Sequence, residues 1–433
     1  MSANELIGYL RDKRVLILGF GREGKSTYRF LRKYLPEKQL TIGDRNAVSV
    51  DDARVDYDCG EDYLRHFDRY DVVVKSPGIP FLDVTWPETT EITCQLDLFL
   101  RFTDGVTVGV TGTKGKTTTS TLTHRILKCA GLNACLIGNM GVPVFDDFEA
   151  HDDQICVIEM SSHQLEFTRK SPHVAVITNL YEEHLDHYRD GFTGYVNAKL
   201  NIARHQKSGD FFIYNGTQGL APYLDVNALA ATAIPVFARD ETALRLCAGN
   251  PHLPGAHNAF DAALAIAAAK CLGAEEAAAK KALASYEGIP NRMEYFGTYG
   301  GVRYYNDAIA TVPAAVQAAV DALGDVGTLI IGGQDRGIDY SGFIAFLQSA
   351  GLDNVVCLPD TGHLIGKRLL ADGRGQTVYL ASDLPDAVRW TVSHTQPGKS
   401  CILSPAAASY NVYRDFEEKG AHFKALVRDA FDK

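Results

Sequence analysis

Short apolar runs recur along the whole chain, and most of them are followed by a segment with helical character. Strands that alternate with helices are typical of parallel sheets whose two faces are covered by helices. The pattern therefore predicts an α/β protein. We expect strands at Arg14–Gly19, Asp71–Lys75, Val106–Val110, Ile155–Met160, Val174–Asn179, Val302–Asn306, Thr328–Gly333, Asn354–Leu358 and Ser400–Ser404.

The composition is that of a soluble globular protein with several domains. The chain has 433 residues, of which 46% are hydrophobic and 22% are charged, and such a length suggests about three domains. Two features mark the boundaries. A glycine-rich turn follows soon after residue 105, and Glu287–Asn291 comes after a long alanine-rich helical region. We therefore expect domains at 1–105, 106–292 and 293–433.

Charge and apolar patterning argue against several classes of protein. The net charge is −10 and the chain has no long basic run, which disfavours a duplex-binding surface. No apolar run approaches the ~20 residues of a membrane helix, and the first residues lack a secretory signal pattern. The nine cysteines have no CxxC spacing, which favours reduced thiols. We expect a cytoplasmic protein with neither nucleic acid nor membrane among its partners.

The strongest chemical signal is the turn between Val110 and the helical segment that ends at Leu127. A glycine-rich turn that opens a helix directs several backbone N–H groups at a bound phosphate. Lys116 would reach the β- and γ-phosphates, and the Thr117 hydroxyl would face Mg²⁺. The two glycines are three positions apart, against five in the general P-loop. The residues predicted to bind ATP here are Gly112, Thr113, Lys114, Gly115, Lys116, Thr117 and Thr118.

A second glycine-rich turn, Gly19–Gly24, follows the first predicted strand. Asp44 lies 20 residues after Gly24, at the end of the next strand. Alone, this arrangement is a dinucleotide-binding fingerprint and suggests a dehydrogenase. The later phosphate loop makes hydride transfer less attractive, because a uridine or another nucleotide fits the same kind of cleft.

Polar groups at the ends of two later strands suit phosphate chemistry. Glu159 ends an apolar strand, where a carboxylate beside a phosphate loop usually binds Mg²⁺. His184 follows the next strand, and Lys199 lies in a helical segment. Taken singly, His184 is equally well a surface imidazole and Lys199 a solvated lysine. Together they predict magnesium-assisted ATP chemistry without identifying the acceptor.

In combination, these motifs resemble the Mur ligases, the ATP-dependent amide ligases of peptidoglycan precursor synthesis. The similarity runs nearly from end to end. Besides the phosphate loop it rests on Gly138-Asn139-Met140-Gly141, Glu159–Gln164, Asn179–His187, Ala198-Lys199-Leu200, Pro254–Asn258, Asn291-Arg292, Asn306-Asp307 and Leu403–Ser409.

The resemblance implies three α/β domains: a Rossmann-like domain for the uridine end of the substrate, a central P-loop domain for ATP, and a Rossmann-like domain for the amino acid. It implies that ATP converts a carboxylate into an acyl phosphate, which an amine then attacks. Lys116, His184 and Lys199 are the implied catalytic residues. The implied metal-binding residues are Thr117, Glu159, His184 and a carbamylated Lys199.

Further nucleotide contacts are implied for Asn258, Arg292 and Asp307. Asp261 stands where the family usually has a second asparagine, which leaves an adenine contact there in doubt. The implied substrate is UDP-N-acetylmuramoyl-L-alanine, bound by Gly21, Arg22, Asp44, Arg45, Ser76, Gly78, Asn139, Ser161 and Gln164. The resemblance also implies a monomer with hinges near residues 105 and 292.

The amino-acid pocket keeps only part of the family pattern. Thr311, Arg336, Ser409 and Phe416 match pocket positions, but Ile309 replaces a lysine expected to pair with a substrate carboxylate. Losing one such contact is worth about 1.5–3 kcal/mol. D-glutamate is the default substrate, and L-glutamate or another amino acid is the alternative. A folylpolyglutamate-synthase-like ligase is disfavoured by the N-terminal domain, and a non-catalytic regulator would not need this set of motifs.

Overall fold

The computed structural model describes residues 2–138, 143–146, 148, 153–183, 185–253, 255–373 and 375–432. The chain divides into two compact units, Met1–Tyr286 and Glu287–Lys433. In the described residues the N-terminal unit has two sheets and the C-terminal unit has one, so the α/β prediction is confirmed. None of the helices in these ranges is both long enough and apolar enough to cross a membrane.

The first sheet of the N-terminal unit is parallel, with strand order β3-β2-β1-β4-β5. Every side chain of β1 and β4 is buried, as expected for central strands built from valine, leucine and isoleucine. The chain leaves β1 on one side and returns on the other, so the turn after β1 lies where the strand order reverses. The elements are α1 (Ser2–Leu10), β1 (Val15–Leu18), α2 (Arg22–Tyr34), β2 (Leu40–Asp44), β3 (Val55–Cys59), β4 (Val72–Lys75), β5 (Glu91–Thr93) and α3 (Gln95–Phe102).

The second sheet of this unit is also parallel, in the order β11-β10-β9-β6-β8-β7. Its central strand β6 pairs with β8 on one side and β9 on the other. The carboxyl ends of these three strands therefore lie at one edge. The elements are β6 (Val106–Thr111), α4 (Lys116–Cys129), β7 (Ala134–Gly138), β8 (Ile155–Glu159), α5 (Ser162–Leu165), β9 (Val174–Ile177), α6 (Gly191–Arg204), β10 (Phe211–Asn215), β11 (Thr232–Val236), α7 (Glu241–Cys247), α8 (Gly255–Cys271) and α9 (Glu276–Ala284).

Helix α8 packs against α4, and six of its ten buried residues are alanines. Alanine has the highest helix propensity and its small side chain allows two helices to approach closely. The helix that follows the phosphate loop is thereby held against α8. The buried alanines of α8 are Ala259, Ala262, Ala263, Ala265, Ala268 and Ala269.

The sheet of the C-terminal unit has the order β12-β13-β17-β14-β15-β16. Its edge strand β12 is antiparallel to β13, unlike the parallel strands of the rest of the sheet. Only Gly300 and Gly301 separate the paired residues Tyr299 and Val302, and both glycines have positive φ, as a tight hairpin turn requires. The elements are β12 (Glu294–Tyr299), β13 (Val302–Asn306), α10 (Pro313–Leu323), β14 (Val326–Gly333), α11 (Ser341–Ser349), β15 (Asn354–Asp360), α12 (Thr361–Asp372), β16 (Thr377–Leu380), α13 (Leu384–His394), β17 (Ser400–Leu403) and α14 (Phe416–Phe431).

Candidate active site

The phosphate loop joins the central strand β6 to α4 and is fixed on the side of β9. The Thr113 N–H donates to the Asn179 carbonyl oxygen at 2.9 Å, and the Lys114 N–H donates to the Asn179 side-chain oxygen at 2.8 Å. The Asn179 amide in turn donates to the Lys114 carbonyl oxygen at 3.0 Å. The Asn179 side chain therefore supports the loop through paired hydrogen bonds to the Lys114 backbone. The family motif contains Asn179, but its supporting role was not predicted.

Two lysine side chains meet at one carbonyl of this loop. Lys116 Nζ lies 3.1 Å from the Gly112 oxygen and Lys199 Nζ lies 2.8 Å from the same atom. Lys199 is only 2% exposed. Burial lowers the pKa of Lys199 far below its ordinary value, and the Lys116 charge lowers it further, against the opposing carboxylates of Glu183 and Glu159. The lowered pKa favours the neutral amine form of Lys199, and the Lys116 ammonium favours an anion bound at the loop.

Glu159 and Thr117 lie at the same sheet edge. Glu159 is the buried last residue of β8, paired in register with Val110 of β6, and Thr117 is a buried residue in the first turn of α4. Two other predicted residues, His184 and Asn139, lie outside the described residues. Within the described part of the chain, no three His, Cys, Asp or Glu side chains form a group that could hold a metal ion.

Two residues near the start of α8 were considered from sequence as nucleotide contacts. Asn258 is half-buried in the first turn, and its amide nitrogen is 3.1 Å from Nε2 of His257. Asp261, one turn later, is buried and lies directly against Gly115 of the phosphate loop. The contact between Asp261 and the loop was not predicted, because the two residues are far apart in sequence.

A separate cavity of about 370 Å³ opens at the carboxyl edge of the first sheet. Its lining includes the glycine-rich turn after β1, the end of β2 and the loop after β4. Tyr63 and Glu23 are lining residues that sequence reasoning did not select. Six of the residues predicted for the UDP-sugar line this cavity: Gly21, Arg22, Asp44, Arg45, Ser76 and Gly78.

Asp44 fixes the shape of this cavity through backbone hydrogen bonds. Its carboxylate accepts from the Phe20 N–H at 2.8 Å and from the Asn46 N–H at 2.9 Å. The same carboxylate that suggested a ribose contact therefore also holds the turn after β1. The close packing of this turn depends on Gly24, because a Cβ at that position would collide with the Gly19 carbonyl oxygen.

Ser161 and Gln164 lie away from the 370 Å³ cavity, at the start of α5, where they form a capping box. The Ser161 hydroxyl accepts from the Gln164 N–H, and the Gln164 side chain accepts from the Ser161 N–H at 3.0 Å. The Gln164 amide also donates to Glu23 Oε1 at 2.8 Å. Because Glu23 lines the cavity, this bond connects the cavity to α5, the helix that follows β8 of the second sheet. Burial raises the pKa of Glu23.

Lys75 is a buried cation that sequence reasoning missed. It ends β4, next to the cavity residue Ser76, and its Nζ lies 3.3 Å from Oε2 of Glu166. The ammonium is 5.3 Å from the ring centres of both Phe81 and Phe167. Burial lowers the pKa of Lys75, while Glu166 and Glu23 raise it. The missed signal was a lysine ending an otherwise fully apolar strand.

In the C-terminal unit, the loops that carry the predicted amino-acid pocket are neighbours. The Ala406 N–H donates to the Ala310 carbonyl oxygen at 2.9 Å, and the Gln334 N–H donates to the Ala408 carbonyl oxygen at 2.8 Å. These bonds bring together the loops after β13, β14 and β17. Three predicted residues lie on these loops, Thr311, Arg336 and Ser409, and the fourth, Phe416, begins α14.

Asp307 lies in a buried network at the end of β13. Its carboxylate accepts from the Ser404 hydroxyl at 2.7 Å and from the Met293 N–H at 3.0 Å. Burial raises the pKa of Asp307 to about 6, although both hydrogen bonds lower it. Arg292, the other predicted nucleotide contact of this unit, is exposed, and Ile309 is half-buried. Each predicted residue of this unit is thus placed at the carboxyl edge of its sheet or next to it.

Two family models match the chain: the Mur ligase middle domain over residues 110–269 and the Mur ligase glutamate ligase domain over residues 291–407. The UDP-N-acetylmuramoylalanine--D-glutamate ligase of Symbiobacterium thermophilum is 30% identical and covers 98% of this chain and 99% of its own length. The enzyme of the same name from Streptococcus agalactiae is 31% identical, covering 95% of this chain and 96% of its own.

The fold agrees with these relatives. The solved structure of MurF ligase from Thermotoga maritima in complex with ADP superposes with a TM-score of 0.55 at 17% identity, covering 97% of each chain. The chain belongs to the Mur ligase family.

Proposed function

We propose that this chain is an ATP-dependent ligase that adds D-glutamate to UDP-N-acetylmuramoyl-L-alanine through an acyl phosphate. Relatives about 30% identical over nearly the full length carry the name of that activity. The observation that carries the chemical part is the phosphate loop, where the Lys116 ammonium and the buried Lys199 side chain meet at the Gly112 carbonyl. Such a centre suits the transfer of a phosphoryl group, whose negative charge must be neutralised.

Lys116 would bind the transferring phosphoryl group. The neutral Lys199 amine would form a bond to the carbon of CO₂ and lose a proton, giving a carbamate with two oxygen ligands. Thr117, Glu159 and His184, with that carbamate, would hold Mg²⁺, an oxygen-rich set that suits this hard cation. When bound, Mg²⁺ supplies charge neutralisation at the phosphates.

The cavity of the first sheet would receive the uridine diphosphate. The N-terminus of α2 offers N–H groups to the diphosphate, and Arg22 and Arg45 at the cavity wall offer cations. Asp44 orders the turn that supplies those N–H groups. The substrates are then UDP-N-acetylmuramoyl-L-alanine, ATP and glutamate, and we infer a cytosolic monomer that binds neither membrane nor nucleic acid.

D-glutamate is favoured over L-glutamate by the names of the relatives. Ile309 leaves one substrate carboxylate without the lysine of the family pattern. Arg336 can grip a carboxylate with two N–H groups, and Thr311 and Ser409 add hydroxyl donors. A folylpolyglutamate-synthase-like activity is not favoured by these relatives.

The test is ADP release from the full chain with ATP, Mg²⁺ and UDP-N-acetylmuramoyl-L-alanine, with separate D- and L-amino acids. We expect turnover with D-glutamate and little with other amino acids. Ile309→Lys should change the D/L ratio of kcat/KM by about tenfold or more, from one charge-assisted contact. Turnover only with a folate acceptor, or none with any amino acid, would refute the proposal.

A further inference from the structure

Asp261 of helix α8 lies directly against the phosphate loop. Gly115, the last residue before α4, has φ +84°, and a Cβ built on it would collide with the Asp261 carboxyl group. Asp261 is 6% exposed. The carboxyl group therefore fills the space beside Gly115 that a larger residue at this position would occupy.

The charges around Asp261 do not provide a partner for a carboxylate. The elements packed against α8 are α4, α7, α9 and the strands β9 to β11. Lys116 of α4 directs its ammonium to Gly112, and Arg245 of α7 pairs with Glu276 of α9 at the surface. His257, one turn earlier on α8, has a pKa lowered by burial. No ion pair to Asp261 is found among the described residues.

A buried acid without a cation is most stable in its uncharged form. Burial raises the pKa of Asp261 to about 8, and the nearby Thr119 hydroxyl offsets only part of the shift. At neutral pH the side chain is therefore a carboxylic acid. An ionised carboxylate beside Gly115 would repel phosphate oxygens bound at the loop, whereas the acid does not.

We propose that Asp261 is a positioning residue for ATP: as an uncharged carboxylic acid it holds the Gly115 turn in the shape that receives phosphates. The proposal rests on the phosphate loop binding ATP, but not on the identity of the amino acid that is added. A protonated Asp261 is uncharged, like the asparagine that the family usually has at this position. Nucleotide binding should then weaken as the pH rises through about 8, because the bound phosphates favour the protonated form.

The experiment measures the Kd of ADP with Mg²⁺ by calorimetry, from pH 6.5 to 9.5, for the full chain and three variants. Asp261→Asn keeps the shape and cannot ionise. Asp261→Ser is a second neutral variant, for use if the first does not fold, and Asp153→Asn is a control at an exposed acid. The readout is each variant's Kd divided by that of the unaltered chain at the same pH, which cancels the titration of ADP itself.

We expect the unaltered chain to lose up to about tenfold in affinity for each pH unit above 8, so that the Kd ratio of Asp261→Asn falls as the pH rises while that of Asp153→Asn stays near one. Asp261→Asn should bind as tightly at pH 7 and should lack this loss. If Asp261→Asn weakens binding at pH 7, or keeps the full pH dependence, the proposal is wrong. Absence of ADP binding at every pH by the unaltered chain would instead contradict the proposed function.

Discussion

The two glycine-rich turns of the N-terminal unit have the same place in their sheets and different surroundings. Gly19–Gly24 follows β1 and the phosphate loop follows β6, and each opens a helix beside a reversal of strand order. The first is bordered by the carboxyl groups of Asp44 and Glu23 together with Arg22 and Arg45, and the second by the side chains of Lys116, Lys199 and Asp261. The glycine-rich turns provide similar backbone geometry, and residues from neighbouring strands and helices determine which ligand each turn can bind.

The turns also differ in how they are kept rigid. The first relies on close packing between Gly24 and the Gly19 carbonyl and on the hydrogen bond from the Phe20 N–H to Asp44 at the end of the next strand. The phosphate loop relies on Asn179 and Asp261, which come from distant parts of the chain. Substitutions in the first turn should therefore affect one substrate, and substitutions in the phosphate loop should affect the other.

The largest effect is expected for Lys116→Ala. Removing a group that stabilises the transferring phosphoryl typically lowers kcat by about 100- to 1000-fold. Lys128→Ala, at the exposed end of the same helix, is the matched control and should change kcat little. Steady-state ADP release measures both. If Lys116→Ala lowers kcat only modestly, the phosphate loop does not have the special role in phosphoryl transfer that distinguishes it from the first turn.

Asp44→Ala should act on the other substrate. It removes two hydrogen bonds to a charged acceptor, those from Phe20 and Asn46, and such bonds are worth about 1.5–3 kcal/mol. We expect the KM for UDP-N-acetylmuramoyl-L-alanine to rise about 10- to 150-fold, with an unchanged KM for ATP. The exposed Asp51→Ala is the control. Equal changes in both KM values would contradict separate roles.

Lys199→Ala should lower activity about 10- to 100-fold, as losses beside a metal commonly do. Added acetate should restore part of the activity by supplying the missing carboxylate oxygens. Assays with and without acetate measure the rescue. Full activity without acetate would show that this buried lysine has no part in the reaction.

The smallest effect is expected for Gly24→Ala, which overpacks the first turn. Overpacking typically costs about 1–3 kcal/mol of unfolding free energy. Gly8→Ala in α1, where a Cβ meets nothing within 4 Å, should instead stabilise by about 0.4–1 kcal/mol. Urea denaturation compares the two. If Gly24→Ala is as stable as the unaltered chain, the turn is less tightly packed than described.

Much of the architecture was predictable because strand patterns are local. Each of the nine expected strands is present, and β13 has the predicted bounds, Val302–Asn306. The antiparallel edge strand was not expected, since β12 is amphipathic rather than a continuous apolar run. Six residues of the first cavity were named from the family resemblance, and they lie at or near strand ends in sequence.

The contacts that support the site were not predictable in this way. Asn179 and Lys114 are 65 positions apart, and Lys75 and Glu166 are 91 positions apart. Asp261 departs from the family pattern, and its neighbour Gly115 is known only from the fold. Pairings of this kind depend on tertiary packing, which a single sequence does not encode in any short segment.

The buried alanines of α8 bear on how the helix after the phosphate loop is held. Alanine loses no side-chain rotamer entropy when it is buried, so these residues of α8 pack without that cost. Asn258 and Asp261 lie near the start of α8, and Lys116 is the first residue of α4. Because Asp261 lies against Gly115 at the start of α4, a substitution that shifts α8 is expected to displace the phosphate loop as well.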